Sequence, residues 1–229
     1  MKDCSALEKR IGVEFKNKDL LTQAFVHRSY LNEHPDFPLG HNERLEFLGD
    51  AVLELVVTEY LYDNYPNPEG ELTNWRAALV NARMLADLAG DLQIEDCMYL
   101  SRGESRDSQS KARQYILANA FEALIGAMYL DLGMEPCRKF IKQFVLSHLQ
   151  RILEQHLYVD PKSRFQEAAQ ETLGITPTYR VISEIGPDHA KEFNVGAYLG
   201  DELIASGTGT SKQEAQISAA EKALHKKGW

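Results

Sequence analysis

Residues 42–54 read NERLEFLGDAVLE. Glu43, Glu46 and Asp50 stand at i, i+3 and i+7, and at about 100° per residue they share one side of a helix. Leu45, Leu48, Val52 and Leu55 mark a different side, read as the buried one. Stacked like charges repel, so a helix gains nothing structural from them. Gly49 inside the helix costs about 1 kcal/mol relative to Ala. Beside clustered carboxylates it points to close backbone packing or to room for a ligand. A solvated acidic helix face has the same spacing. Hard cations such as Mg²⁺ take oxygen ligands, usually one or two carboxylates with water and phosphate. The spacing therefore permits a metal site without demanding one.

A second polar pair lies downstream in YILANAFEALIGAMYLDLG. Asn119 and Glu122 stand at i, i+3 among Leu117, Phe121, Leu124, Ile125 and Met128. A glutamate in such surroundings needs a partner. A cation shared with Glu46 and Asp50 would supply one; a helix cap or a buried arginine would serve as well.

Around these two stretches the first two thirds of the 229-residue chain reads as helical. Apolar periodicity predicts helices over 16–33, 42–64, 73–89, 112–132 and 136–156. The loop HPDFPLGHN and the turn YPNPEG separate some of them, and SRGESRDSQSKAR is a polar connection. Near residue 157 the pattern changes. LYVDPKSRF leads into a short helix over 162–173, then strand-like runs over 178–185, 191–199 and 202–207, then a closing helix in SKQEAQISAAEKALHKK. The expected fold is an all-α domain over 1–157 followed by a small α+β domain of order α-β-β-β-α over 158–229.

Composition sets weaker bounds. Apolar residues make up 44% and charged residues 26%, as in ordinary globular domains. No apolar run approaches the roughly 18 residues of a membrane helix, and MKDCSALEKR lacks a signal-peptide stretch. Cys4, Cys97 and Cys137 are odd in number and widely spaced, so neither a zinc site nor a disulfide framework is expected. These features lead to the expectation of a cytoplasmic protein without a membrane partner. A net charge of −9 argues against nucleic-acid binding by itself. A local basic patch, or metal held by acidic residues, would overcome it.

Together these blocks resemble the ribonuclease III family. NERLEFLGDAVLELVVTEYLY resembles its signature helix, and AFVHRSY, EGELTNWRAALVN and ILANAFEALIGAMYLD resemble its other recurring blocks in the same order. The segment 160–229 resembles the family's double-stranded-RNA-binding domain, so the resemblance covers nearly the whole chain. It implies a homodimeric endoribonuclease that hydrolyses double-stranded RNA with Mg²⁺, Mn²⁺ being able to substitute. Each subunit would cut one strand and leave short 3′ overhangs. The expected duties are maturation of ribosomal RNA precursors and processing of structured transcripts.

The resemblance also assigns residues. Glu46, Asp50, Asn119 and Glu122 would line the metal site, with Asp50 and Glu122 catalytic. Glu43 would contact substrate at its edge, and Glu69 would reach towards the partner's cleft. Phe47 would be an aromatic knob in the dimer interface, unless it is an ordinary core residue. One or two Mg²⁺ ions can both activate water and stabilise the leaving oxygen, so no nucleophilic triad is needed. His27 is read as a packing or hydrogen-bonding residue, not a general base.

One position departs from the family, which usually has aspartate where this chain has Asn119. An amide oxygen can still ligate Mg²⁺ but brings no charge. Metal affinity should fall and activity could fall with it, while the intact remainder of the site favours retained activity. Two alternatives therefore stay open: a double-stranded-RNA-binding protein with a silent nuclease, and an RNA-assembly factor.

In the C-terminal domain, Gln166, Glu167 and Gln170 are expected to meet 2′-hydroxyls. His189 would enter a minor groove with Lys191 behind it. Thr210, Ser211 and Lys212 would offer backbone N–H groups and a cation to phosphate. The family usually shows three lysines here; this chain has Lys212, Gln213 and Gln216. Lys222, Lys226 and Lys227 would compensate in part, or form a solvated helix end. Residues 160–229 carry 8 Lys and Arg against 10 Asp and Glu, so the RNA footprint must be local.

Overall fold

The computed structural model describes residues 1–106, 110–187 and 191–229. It divides into two units, Met1–Tyr158 and Val159–Trp229. The first contains α1 (Ser5–Ile11), α2 (Lys18–Ala24), α3 (Arg28–Glu33), α4 (Glu43–Asn64), α5 (Glu69–Val80), α6 (Ala82–Asp91), α7 (Arg102–Arg106), α8 (Lys111–Leu132), α9 (Met134–Phe144) and α10 (Leu149–Glu154). Short 3₁₀ turns occupy Ile94–Cys97 and Leu146–His148. The second contains α11 (Pro161–Leu173), β1 (Thr178–Ile185), β2 (Glu192–Leu199), β3 (Glu202–Gly209) and α12 (Lys212–Lys227). The fold is thus an all-α unit followed by an α-β-β-β-α unit.

Two glycines set the centre of the first unit. A Cβ on Gly49 would lie 1.8 Å from the carbonyl oxygen of Glu122, and one on Gly126 would lie 2.1 Å from that of Leu45. Each glycine therefore admits the backbone of the facing helix, and α4 and α8 cross at a separation that no side chain permits. Of the two readings of Gly49, close backbone packing is what the structure shows. α8 is buried on most sides and packs against α2, α4, α6 and α9. Its length and apolar character would suit a membrane, which the expectation of no such run missed; here it is the core helix of the unit.

The buried stripe of α4 is Leu45, Gly49, Val52, Leu53, Val56, Val57 and Leu61. Leu48 is only half-buried, and Leu55 is exposed, contrary to the sequence reading. At 100° per residue Leu55 rotates away from the α8 contact and falls near Phe47 and Tyr62, which are also exposed. The helix has three faces: one towards α8, one acidic, and one apolar and uncovered in the single chain.

Several expected helices are broken by tertiary contacts. The stretch 16–33 splits into α2 and α3 because Val26 bridges Tyr99 in parallel. Tyr99 N–H donates to Phe25 O at 2.8 Å, His27 N–H donates to Tyr99 O at 3.1 Å, and Asn42 N–H donates to Val26 O at 2.9 Å. Backbone groups bonded sideways in this way cannot close helical turns. The stretch 73–89 divides at Asn81, which ends α5 and caps α6 by accepting from Met84 N–H at 2.9 Å. The stretch 136–156 divides at the turn Leu146–His148. Cys4, Cys97 and Cys137 are buried and unbridged.

In the second unit an antiparallel sheet of order β1-β2-β3 carries α12, and α11 packs beside α12. The contact is close because α12 presents Ala215, Ala219, Ala220 and Ala223. Gly207 gives way on the sheet side; a Cβ there would lie 2.2 Å from Ala219 N. Phe165, Ala169, Ala197, Leu199 and Ile204 complete the core.

Candidate metal centre and RNA-contacting surface

Glu46 and Asp50 leave α4 on the flank of the Gly49–Gly126 crossing, and Glu122 leaves α8 at the same crossing. The close approach of the two backbones brings these carboxylates together. Burial pushes the Glu122 carboxyl up to about 8, with Asp50, Glu46 and Glu54 adding to the shift. Burial also raises Glu46, with further contributions from Glu43 and Asp50. Asn119 lies half-buried one turn before Glu122 on α8.

The flanking acids are neutralised and the central ones are not. Glu43, at the exposed start of α4, accepts from Arg28 at 3.2 Å and lies 3.7 Å from His41 Nδ1. Glu54 pairs with Arg76 at 2.8 Å, and the same guanidinium bonds Thr58 at 2.8 Å, tying α5 to α4. Among the described residues no ion pair reaches Glu46, Asp50 or Glu122. Neither alternative partner for Glu122 is realised: Ser110 caps α8, and the buried Arg113 pairs with Glu95 instead.

These donors suit a hard divalent cation by type: three carboxylates and an amide oxygen. Among the described residues no group of three or more His, Cys, Asp and Glu side chains is arranged to hold a metal ion. An ion here would be completed by Asn119, by water and by a phosphate oxygen, which is the ordinary manner of Mg²⁺.

The remaining assigned residues of the first unit are spread over its surface. Phe47 is 80% exposed, which removes the reading of it as a core residue of the single chain. Glu69 is exposed at the start of α5, where it accepts from Thr73 Oγ1 at 3.1 Å. His27 caps α3, accepting from Ser29 N–H at 3.3 Å, and burial holds its imidazole below the ordinary value.

In the second unit Gln166, Glu167 and Gln170 are exposed on α11, opposite buried Phe165 and Ala169. His189 lies outside the described residues. Ser211 caps α12, accepting from Glu214 N–H at 3.1 Å. The Thr210 N–H donates to the Glu214 carboxylate at 3.0 Å, so it is already engaged. Lys226 Nζ donates to Ile204 O at 2.9 Å and is held against β3. Lys212 and Lys191 both face Glu184, at 3.0 Å and 3.9 Å.

Sequence reasoning did not single out Gly126, Arg28, Arg76, Glu54 or Glu184. Glu54 had a signal, standing four residues after Asp50 on the same helix. Gly126 had the same signal as Gly49, a costly glycine inside an apolar helix. The pairing of the two glycines had none.

Residues 17–149 match the family described as Ribonuclease-III-like, and residues 161–227 match the Double-stranded RNA binding motif. Ribonuclease 3 of Dehalococcoides mccartyi is 41% identical over 225 residues, spanning 98% of this chain and 94% of that protein. Ribonuclease 3 of Chloroflexus aurantiacus is 43% identical over 222 residues, spanning 95% and 89%. Among solved structures, the nuclease domain of ribonuclease III from Campylobacter jejuni aligns with a TM-score of 0.57 at 39% identity, covering 65% of this chain and 97% of that one. The two family matches and 41–43% identity over nearly the whole chain agree with the two-part fold: the chain belongs to the ribonuclease III family.

Proposed function

We propose that the chain is a Mg²⁺-dependent, homodimeric endoribonuclease acting on double-stranded RNA in the cytoplasm, where it matures ribosomal RNA precursors and structured transcripts. The endoribonuclease assignment rests on the family. The observation that carries the metal is the set of unpaired central acids, Glu46, Asp50 and Glu122, between two arginine-held neighbours. Burial, and then repulsion from Asp50 and Glu46, hold Glu122 largely protonated near neutral pH. Such an arrangement is costly unless a cation relieves it.

Glu46, Asp50, Glu122 and the Asn119 amide would hold Mg²⁺. Bound there, the ion supplies an activated water and stabilises charge on the leaving oxygen. The protein's own part is placement. The glycine crossing fixes the carboxylates, Arg28 and Arg76 keep Glu43 and Glu54 turned aside, and the C-terminal unit holds the duplex by shape.

Asn119→Asp tests this reading, because it changes charge far more than shape. With long RNA duplex and a Mg²⁺ titration against an EDTA control, the substituted chain should reach half-maximal cleavage at lower Mg²⁺. In EDTA its melting temperature should fall, since a further carboxylate then joins Glu122 unrelieved. Destabilisation that Mg²⁺ does not reverse, with no cleavage by either form, refutes the metal-dependent nuclease.

The uncovered face of α4 supports the dimer. Phe47, Leu55 and Tyr62 are 80%, 47% and 79% exposed on one side of one helix. Phe47→Ala should weaken association by about 3–5 kcal/mol if the ring fills a socket. Sedimentation of wild type and variant over a dilution series measures this; an unchanged dimer at the lowest concentrations rejects the knob.

A further inference from the structure

Two lysines expected on the RNA-contacting surface, Lys191 behind the minor-groove loop and Lys212 at phosphate, share one acidic partner. Glu184 lies near the end of β1, opposite Phe193 on β2. Its Oε1 is 3.0 Å from Lys212 Nζ at the start of α12, and its Oε2 is 3.9 Å from Lys191 Nζ, just before β2. Lys212 Nζ also stands 5.6 Å from the Phe193 ring centroid, which holds the ammonium over that strand pair. One carboxylate thus bridges two elements that are distant in sequence, with one oxygen towards each lysine.

We infer that Glu184 is an intramolecular stand-in for the RNA phosphate, and that it limits the duplex affinity of the C-terminal unit. This rests on the reading of that unit as RNA-binding. As a stability device the arrangement contributes little: Lys212 is 56% exposed and Glu184 35% exposed, and such surface pairs are weak. Its effect on binding is larger in proportion. The unit carries 8 basic against 10 acidic side chains and lacks the cations at Gln213 and Gln216, so few positive charges serve its phosphate contacts. The duplex must displace Glu184 from Lys212 and Lys191, and the freed carboxylate then remains beside the phosphates. The counterions released on binding are fewer than two unpaired lysines would give.

Glu184→Gln keeps the shape and an acceptor oxygen but removes the charge. Binding of the full chain is measured on an RNA duplex of about 20 base pairs, longer than the roughly 16 that such a domain spans. EDTA holds cleavage off, and salt is varied. The variant should bind about threefold to tenfold more tightly at low salt, with the Glu184 charge removed from beside both lysines. The slope of log K against log salt should steepen by about one. Lys212→Ala should cost more in the Glu184→Gln background than in wild type. Tighter binding with the steeper slope supports the inference. Equal or weaker binding by Glu184→Gln, with wild type binding normally, overturns it and leaves Glu184 a structural tie. Failure of the wild-type chain to bind the duplex at low salt overturns the RNA-binding reading and the inference together.

Discussion

Glu122→Gln should abolish cleavage of duplex RNA while leaving the fold and duplex binding intact. Glu122 is the most perturbed carboxyl of the acidic crossing, raised to about 8 by burial and by Asp50, Glu46 and Glu54. If it is a ligand, the amide oxygen of glutamine can still reach the ion but brings no charge, and with Asn119 already neutral only Glu46 and Asp50 remain to balance the cation. Losses of about 10²–10³ or more in rate accompany the loss of one group stabilising developing charge. The same substitution has an opposite effect on stability, and its sign follows from linkage. A carboxyl whose folded value is raised binds its proton more tightly in the folded state. In metal-free protein the folded state therefore loses stability as pH rises from the ordinary glutamate value of 4.5 towards about 8. Glutamine has no such loss. In EDTA, Glu122→Gln should melt higher than wild type at pH 8 and at about the same temperature at pH 4. Full cleavage by the variant removes Glu122 from the site. A variant that melts lower than wild type at pH 8 contradicts the burial of an unrelieved charge.

Gly49→Ala should cost both stability and activity. Alanine is the better helix former by about 1 kcal/mol, so an isolated helix would gain. Here the new Cβ would lie 1.8 Å from the Glu122 carbonyl oxygen and 2.8 Å from Gly126 N. These are backbone atoms and cannot rotate away, so α4 and α8 must separate. Overpacking of this kind costs about 1–3 kcal/mol, occasionally more. The net loss should appear as a melting temperature lower by several degrees, since about 1 kcal/mol corresponds to roughly 2–4 °C in a chain of this size. Cleavage should fall further than stability alone explains, because separating the helices draws Glu46 and Asp50 away from Glu122. Cleavage by Gly49→Ala and by wild type is compared at a temperature where both are folded, over a range of Mg²⁺. A variant that is more stable, at full activity, would mean that the crossing has slack the glycine contacts do not show.

Both effects originate in the same short stretch, yet they were unequally legible. The acidic periodicity of Glu43, Glu46 and Asp50 is local, so i, i+3, i+7 spacing on a helix is enough to group them. The order of elements in the second unit, the change of pattern near residue 157, and Asn119 with Glu122 in an apolar helix were equally plain, because each depends on neighbours within one or two turns. Propensity and periodicity report only such distances.

What needed the tertiary structure depends on residues far apart in the chain. The facing of Gly49 and Gly126 turns two weak helix positions into the contact that assembles the carboxylates. Val26 is taken out of a helical pattern by Tyr99, and Leu55 is turned outward by the direction from which α8 arrives. Lys191 and Lys212 look like independent cations in sequence, but strand pairing places Glu184 between them. The sequence by itself determined the helical character of the first unit, the acidic face and the two-part architecture. Backbone hydrogen bonds and charges that meet across the chain decided which helices break, which carboxylates remain unpaired and which lysines are already engaged, since such groups are satisfied by whatever the fold brings beside them.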